Sequence, residues 1–173
     1  MRVIAGRFRS RRLKSVPGLS VRPTPDRLRE ALFNVLAPRL PGSTFLDAYA
    51  GSGAVAIEAL SRGAKHAVLI ERSAKALVVL RDNLRALDLD SEATVVRGSA
   101  AVLLHNYPFD VAFIDPPYDQ ENEYEESLNA LAATPVKLVI AQHPSRMLLA
   151  ETYGRLNNFR VLRQGDNSLS FYE

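Results

Sequence analysis

The 173-residue chain contains no cysteine. Disulfides, thiolate metal sites and cysteine nucleophiles are thereby excluded. Histidine is scarce too: His66, His105 and His143 stand far apart, without the short spacing of a metal-binding pair. No metal is expected. Long apolar runs are also missing. None approaches the eighteen or so residues that span a bilayer, and the opening MRVIAGRFRSRRLKS holds no continuous apolar block of the signal-peptide kind. A soluble cytoplasmic protein without a membrane partner is the expectation. Apolar residues as a class are plentiful, 47% of the chain, enough to bury a core in one domain of this length.

Acid is nearly absent from the first forty residues. Ten Lys and Arg stand there against Asp26 and Glu30, an excess of +8, so the remainder sums to −5 of the net +3. Charge segregated in this way suits a polyanion, because cations placed opposite phosphates gain from counterion release. Nine of the ten are arginines, whose guanidinium fork matches phosphate oxygens. Residues 1–40 therefore read as a basic extension packed on a core domain of residues 41–173. Arg7, Arg9, Arg11, Arg12, Lys14, Arg22 and Arg27 are its candidate phosphate contacts, RNA-binding residues if the polyanion is RNA.

The extension begins as a short hairpin or arm, VIA followed by FRSRRLKS and a VPGL turn signal. Thr24 and Pro25 suit the cap and first position of a helix in which Leu28, Ala31, Leu32, Val35 and Leu36 repeat at helical spacing, ending near Pro38. From residue 44 short apolar runs alternate with amphipathic helices. TFLDAY, AVLIE, ATVV, FDVAFID and VKLVIA predict five strands; helices are predicted at about 53–62, 73–87, 99–105 and 122–132. Alternation of this kind implies a parallel sheet covered on both faces. The tail FRVLRQGDNSLSFYE predicts a hairpin about Gly165, Asp166 and Asn167. No heptads point to an oligomer, and a monomer is expected.

Gly51 and Gly53 follow the first strand and open a helix, in LDAYAGSGAVAIEAL. Glycine lets a ligand approach the backbone, and a helix amino end offers unpaired N–H groups. Glu71, ending the second strand, suits a ribose hydroxyl. GSGAVA fits a dinucleotide fingerprint as well as an S-adenosylmethionine loop, so the loop alone leaves a dehydrogenase open.

The stretch FIDPPYDQ, residues 113–120, ends the fourth strand at the same edge. An exocyclic amine is a poor nucleophile until acceptors engage its protons and favour the charge developing on nitrogen. The Asp115 carboxylate and the Pro116 carbonyl can do so, Pro116 and Pro117 limit φ, and Tyr118 offers a face for a base. An ordinary strand exit uses the same residue types.

The order AGSG, LIER, FIDPPY resembles the class I S-adenosylmethionine-dependent methyltransferases that modify exocyclic amines. VRPTPDRLREALFNVL, then FLDAYAGSGAVAIEALSRGA and a final GDNSLSFYE, resemble the RsmD-type family, bacterial enzymes that methylate a guanine N2 in 16S ribosomal RNA. The resemblance covers nearly the whole chain. It implies an α/β, Rossmann-like class I methyltransferase fold: a mostly parallel seven-stranded sheet with a C-terminal antiparallel hairpin. It implies S-adenosylmethionine as cofactor, held by Asp47, Tyr49, Gly51, Ser52, Gly53, Glu71, Arg72, Ser99 and Ala100, and S-adenosylhomocysteine as product. Asp115, Pro116, Pro117 and Tyr118 would hold the target base, and 16S ribosomal RNA or the small subunit would be the partner. Two positions depart from the family. Ser99 stands where an acidic or amide residue usually contacts adenine, and AQHPS lacks an acidic residue near His143, which reads as an ordinary loop histidine or a general base. An adenine-N6 methyltransferase of DNA or RNA, and a noncatalytic RNA-binding assembly factor on the same fold, are the alternatives.

Overall fold

The computed structural model describes residues 1–17, 26–117 and 119–173. The five predicted apolar runs become β1 (Thr44–Asp47), β2 (His66–Glu71), β3 (Ala93–Arg97), β4 (Val111–Ile114) and β5 (Leu138–Pro144). They are joined by α2 (Ala54–Ser61), α3 (Ala74–Arg85), the short α4 (Ala100–Leu103) with a 3-10 turn at Leu104–Asn106, and α5 (Asn122–Ala132); α1 (Asp26–Leu36) precedes them. Central β4 is buried at every residue whereas β3, at the sheet edge, is half-buried. Continuous apolar runs in the middle strands follow from cover on both faces.

The tail adds β6 (Thr152–Tyr153), β7 (Leu156–Gln164) and β8 (Asn167–Tyr172). The sheet order is β3-β2-β1-β4-β5-β8-β7-β6, with the first five strands parallel and β5-β8-β7-β6 antiparallel. The sheet thus has eight strands where seven were predicted. The extra one is two residues long, too short to show an alternation, and folds onto β7 across Gly154 at φ 54. The last parallel strand also runs longer than predicted, because Gln142, His143 and Pro144 stay in register with Leu169, Ser168 and Asn167 of β8. His143 is therefore a buried strand residue, not a loop histidine. Its Nε2 meets Ser170 Oγ at 2.8 Å and its Nδ1 meets the Pro144 carbonyl at 3.0 Å. Burial lowers its pKa below the ordinary histidine value.

Two cores flank the sheet. On one face Phe45, Leu69, Phe113, Ile140 and Phe171 meet α1, α2 and α3; on the other Leu46, Ile70, Ile114 and Val139 meet Tyr124 and Leu128 of α5. Val3, Leu13, Leu28, Leu32 and Leu36 belong to the first core, so the N-terminal segment is sealed to the sheet layer by apolar contact. The buried stripe of α1 is Leu28, Arg29, Leu32, Phe33 and Leu36, while Ala31 and Val35 are half-exposed. The stripe is displaced from the predicted one because Phe33 packs toward Phe45, ring centres 6.4 Å apart, and Arg29 turns inward to the Arg2 carbonyl at 2.5 Å. Truncating Phe33 to alanine would cost about 3–5 kcal/mol and loosen α1. The predicted cap at Thr24 and Pro25, and part of the VPGL turn, lie outside the described residues.

The arm is a narrow hairpin, with Val3 N–H on the Arg11 carbonyl and Leu13 N–H on the Met1 carbonyl, both 3.0 Å. It lies against α2 at Gly6, where φ is +82 and an added Cβ would fall 1.9 Å from the Ser61 carbonyl oxygen. Only glycine fits there. The fully buried Glu58 carboxylate then accepts the N–H groups of Ile4 (2.7 Å) and Ala5 (2.9 Å), and Ser61 Oγ accepts that of Phe8 at 3.0 Å.

Candidate active site

Parallel strands leave the sheet at one rim, and that rim collects the predicted residues. Asp47 ends β1, Glu71 ends β2, Gly98 and Ser99 follow β3, and Asp115 follows β4. Pairing of Asp47 with Phe113 and of Glu71 with Arg97 sets their levels.

The glycine turn is built by backbone alone. Gly51 (φ +53) and Gly53 (φ +81) are left-handed, and Gly53 N–H closes the turn on the Ala50 carbonyl at 2.7 Å. A Cβ on Gly53 would come within 3.3 Å of Leu80; one on Gly51 would meet nothing within 4 Å and would enter the open space above the rim. Glu71 braces the turn: its Oε2 accepts Gly51 N–H at 2.8 Å and its Oε1 accepts Ser73 N–H at 2.7 Å. Each oxygen keeps a lone pair for a further donor. Asp47 is buried, accepts Ala56 N–H on Oδ2 at 3.3 Å, and has no hydrogen-bond partner on Oδ1 among the described residues. Burial pushes its pKa up to about 7; the Ala56 N–H opposes the shift and the Glu71 charge adds to it. A buried acceptor without a donor, beside a turn open at Gly51, fits a ligand that brings amine or hydroxyl donors. A nucleoside-linked amino acid such as S-adenosylmethionine meets that requirement.

The remaining expected cofactor residues line the same rim in different ways. Ser52 offers its carbonyl to Asn83 Nδ2 at 2.9 Å. Tyr49 bonds Ser127 Oγ at 2.8 Å, and burial holds its hydroxyl well above the ordinary tyrosine pKa. Arg72 reaches across to α5, giving Glu123 Oε1 a bond of 2.8 Å and Gln120 Oε1 one of 2.6 Å. Ser99 caps α4 without a side-chain bond, and Ala100 is buried behind it.

Asp115 is partly buried, and Gln142 Nε2 donates to its Oδ2 at 3.0 Å. Burial, and secondarily the charge of Asp47, push the Asp115 pKa up to about 8. The Pro116 carbonyl accepts the Tyr124 hydroxyl at 3.3 Å, which steadies the turn and leaves its second lone pair. Pro117 is half-buried and its carbonyl takes Gln120 N–H at 2.9 Å. Tyr118 lies outside the described residues.

The basic arm reaches this rim through one side chain. Asn83, on α3, accepts Lys14 N–H at 2.8 Å and donates to both the Lys14 and Ser52 carbonyls, so the arm and the glycine turn share a partner. Several arm cations are already engaged: Arg7 with Glu92, Lys14 with Asp82, Arg11 with the Ala86 carbonyl. Arg9, Arg12 and Arg27 are exposed and make no ion pair among the described residues. Arg22 lies outside them. A cleft of about 480 Å³ at the opposite rim is lined by Arg39, Asp110 and Lys137, whose charges are spent in the Arg39–Glu173 and Lys137–Asp110 pairs.

Glu58, Asn83, Gln142 and Tyr124 were not foreseen. The available signal for the first two was a polar residue inside an apolar helical stripe, as in AVAIEALS.

Sheet order and rim together define a Rossmann-like α/β fold of the kind found in methyltransferases. A family model described as conserved hypothetical protein 95 matches residues 1–173. Two relatives carry the name ribosomal RNA small subunit methyltransferase D. The Haemophilus influenzae protein is 42% identical over 68% of this chain and 64% of its own length; the Escherichia coli K12 protein is 41% identical over 76% and 66%. A solved hypothetical protein from Thermus thermophilus superimposes with a TM-score of 0.82 at 36% identity, covering 99% of this chain and 98% of that one. The chain belongs to this family, the RsmD-type methyltransferases.

Proposed function

We propose that the protein transfers a methyl group from S-adenosylmethionine to the exocyclic N2 amine of a guanine in 16S ribosomal RNA. The observation that carries the reading is the convergence on one rim of Gly51, the orphaned Asp47 Oδ1, Glu71 and the partly buried Asp115. The names of the two relatives support an RNA acceptor.

When bound, the cofactor supplies a methyl group already activated on a sulfonium. The chain's own residues have two tasks. Asp47, Gly51 and Gly53 hold the methionine end, Glu71 the ribose and Ser99 the adenine, with Tyr49, Ser52, Arg72 and Ala100 completing the cofactor site. Asp115 Oδ1 and the free lone pair of the Pro116 carbonyl accept the amine protons, which favours the positive charge that nitrogen gains as it bonds carbon and the C–S bond breaks. In its ionised form Asp115 then takes the surplus proton, while Tyr118 stacks on the base for about 1–3 kcal/mol. Orientation and electrostatics carry the step.

Residues 1–40 form the RNA-holding extension on a catalytic unit of residues 41–173. Arg9, Arg12, Arg22 and Arg27 meet phosphate, and Arg7, Arg11 and Lys14 fasten the arm beneath them. The protein acts as a monomer. Labelled methyl transfer to small-subunit particles, free 16S RNA and duplex DNA tests the reading. Label in the RNA or particle supports it; no label above a cofactor-only control, with a working control enzyme, overturns it.

A further inference from the structure

Asp115 can serve an amine only if one oxygen points at it and stays free. The terminal torsion of an aspartate is broad and roughly two-fold, so the side chain does not settle this by itself. The neighbouring strand does. Ile114 of β4 pairs with Ala141 of β5 in parallel register, so Asp115 and Gln142 leave the sheet side by side. Both continue the face that carries Val111 and Phe113 on β4 and Leu138 and Ile140 on β5. Gln142 is 1% exposed, and its Nε2 meets Asp115 Oδ2 at 3.0 Å.

We propose that Gln142 is the positioning residue of the amine site: it fixes the Asp115 carboxylate through Oδ2 and reserves Oδ1 for the target amine. This rests on the reading above that Asp115 receives the amine. The chemistry of the partner matters. A lysine or arginine in this place would neutralise the carboxylate and weaken it as an acceptor. A neutral amide orients the carboxylate and, by donating to it, favours its ionised form.

That preference has work to oppose. Asp47 on β1 faces Asp115 and raises its pKa, and Glu71 on β2 acts on Asp47 in the same sense. From α5, Tyr124 reaches the Pro116 carbonyl. His143, the next residue on β5, bonds Ser170 on the opposite face. Among the described residues no cation is placed to relieve Asp115, so the Gln142 amide is the donor that favours its ionised form.

The test uses the full chain with Gln142→Met and Gln142→Glu, both close in volume to glutamine. The first removes the donor; the second adds a negative charge. Carbon-13 NMR of labelled aspartate, with the Asp115 signal assigned from Asp115→Asn, follows its titration without RNA or cofactor. Methylation rate against pH and calorimetric cofactor affinity follow function. In Gln142→Met the Asp115 titration and the rising limb of the rate profile both move up by about one to two pH units, the size expected for one lost bond to a charged group. Raising the pH then recovers much of the rate, while cofactor affinity stays within a few-fold. Gln142→Glu moves both further in the same direction. An unmoved Asp115 titration in both variants overturns the proposal, even if the rate falls. A wild-type protein that methylates no RNA or DNA defeats the underlying functional reading, and the NMR titration still decides separately whether Gln142 governs Asp115.

Discussion

Replacing Glu58 with glutamine tests how the arm is held, with almost no change in volume. The carboxylate is fully buried and accepts Ile4 N–H at 2.7 Å, Ala5 N–H at 2.9 Å and Arg62 Nε at 2.7 Å. A glutamine amide keeps one acceptor oxygen but turns its NH₂ toward a donor, leaving at least one N–H unpaired and Arg62 without its counter-charge. Hydrogen bonds to a charged acceptor contribute about 1.5–3 kcal/mol each, so the loss should be about 3 kcal/mol. For a chain of this length that is a fall in Tm of roughly 6–12 °C. Thermal unfolding gives the Tm, and amide hydrogen exchange at Ile4 and Ala5 reports the arm directly. Both amides should exchange faster in the variant, while cofactor affinity by calorimetry holds within a few-fold. A Tm within about 1 °C of wild type, with unchanged exchange at both positions, would refute the idea that Glu58 clamps the arm.

Further expectations can be checked separately. Asp115→Asn should lower kcat by about 10²–10³-fold, the scale of losing one placed transition-state group, with calorimetric cofactor affinity nearly unchanged; parallel loss of both would make Asp115 a structural or cofactor residue. Asp47 and Asp115 hold their protons up to about 7 and about 8 when folded, whereas unfolded aspartates release theirs near ~3.9. Their contribution to stability is thus present below about pH 4 and lost as pH rises through the folded values, so Asp115→Asn should gain on wild type in Tm between pH 5 and 8; parallel Tm–pH curves would contradict this. Gly51→Ala places a Cβ in the open turn at φ +53, and should weaken cofactor binding at least tenfold, about 1.4 kcal/mol, as read by calorimetry. Removing Arg9, Arg12 or Arg27 should each reduce the salt slope of RNA binding by about one, while removing Arg7 or Lys14, already paired with Glu92 and Asp82, should change it less.

Most elements were legible because their signal is local. Leu77, Leu80, Leu84 and Leu87 sit on the buried side of α3 or just past it as their spacing requires, and the glycine turn announced itself by Gly51 and Gly53 after an apolar run. Asp115 fell on the expected rim because parallel strands must end together. The rest depends on partners distant in sequence. Glu58 is used by residues 53 and 54 positions away, Asn83 by Lys14 at 69, and Gln142 by Asp115 at 27. No periodicity records such pairs. Charge counting has the same blind spot: Arg29 adds to the basic total yet is buried against Arg2 and Asp26. The two-residue β6 is below the length at which a strand pattern can be seen.

The account rests on Asp115 facing a methyl donor across the gap filled by a guanine amine. Its most direct test is mass spectrometry of small-subunit RNA incubated with the wild-type protein and labelled S-adenosylmethionine, beside the Asp115→Asn variant. One labelled methyl on the N2 of a single guanine, absent with the variant, is the predicted result. Label on an adenine, or equal label from wild type and variant, would contradict it.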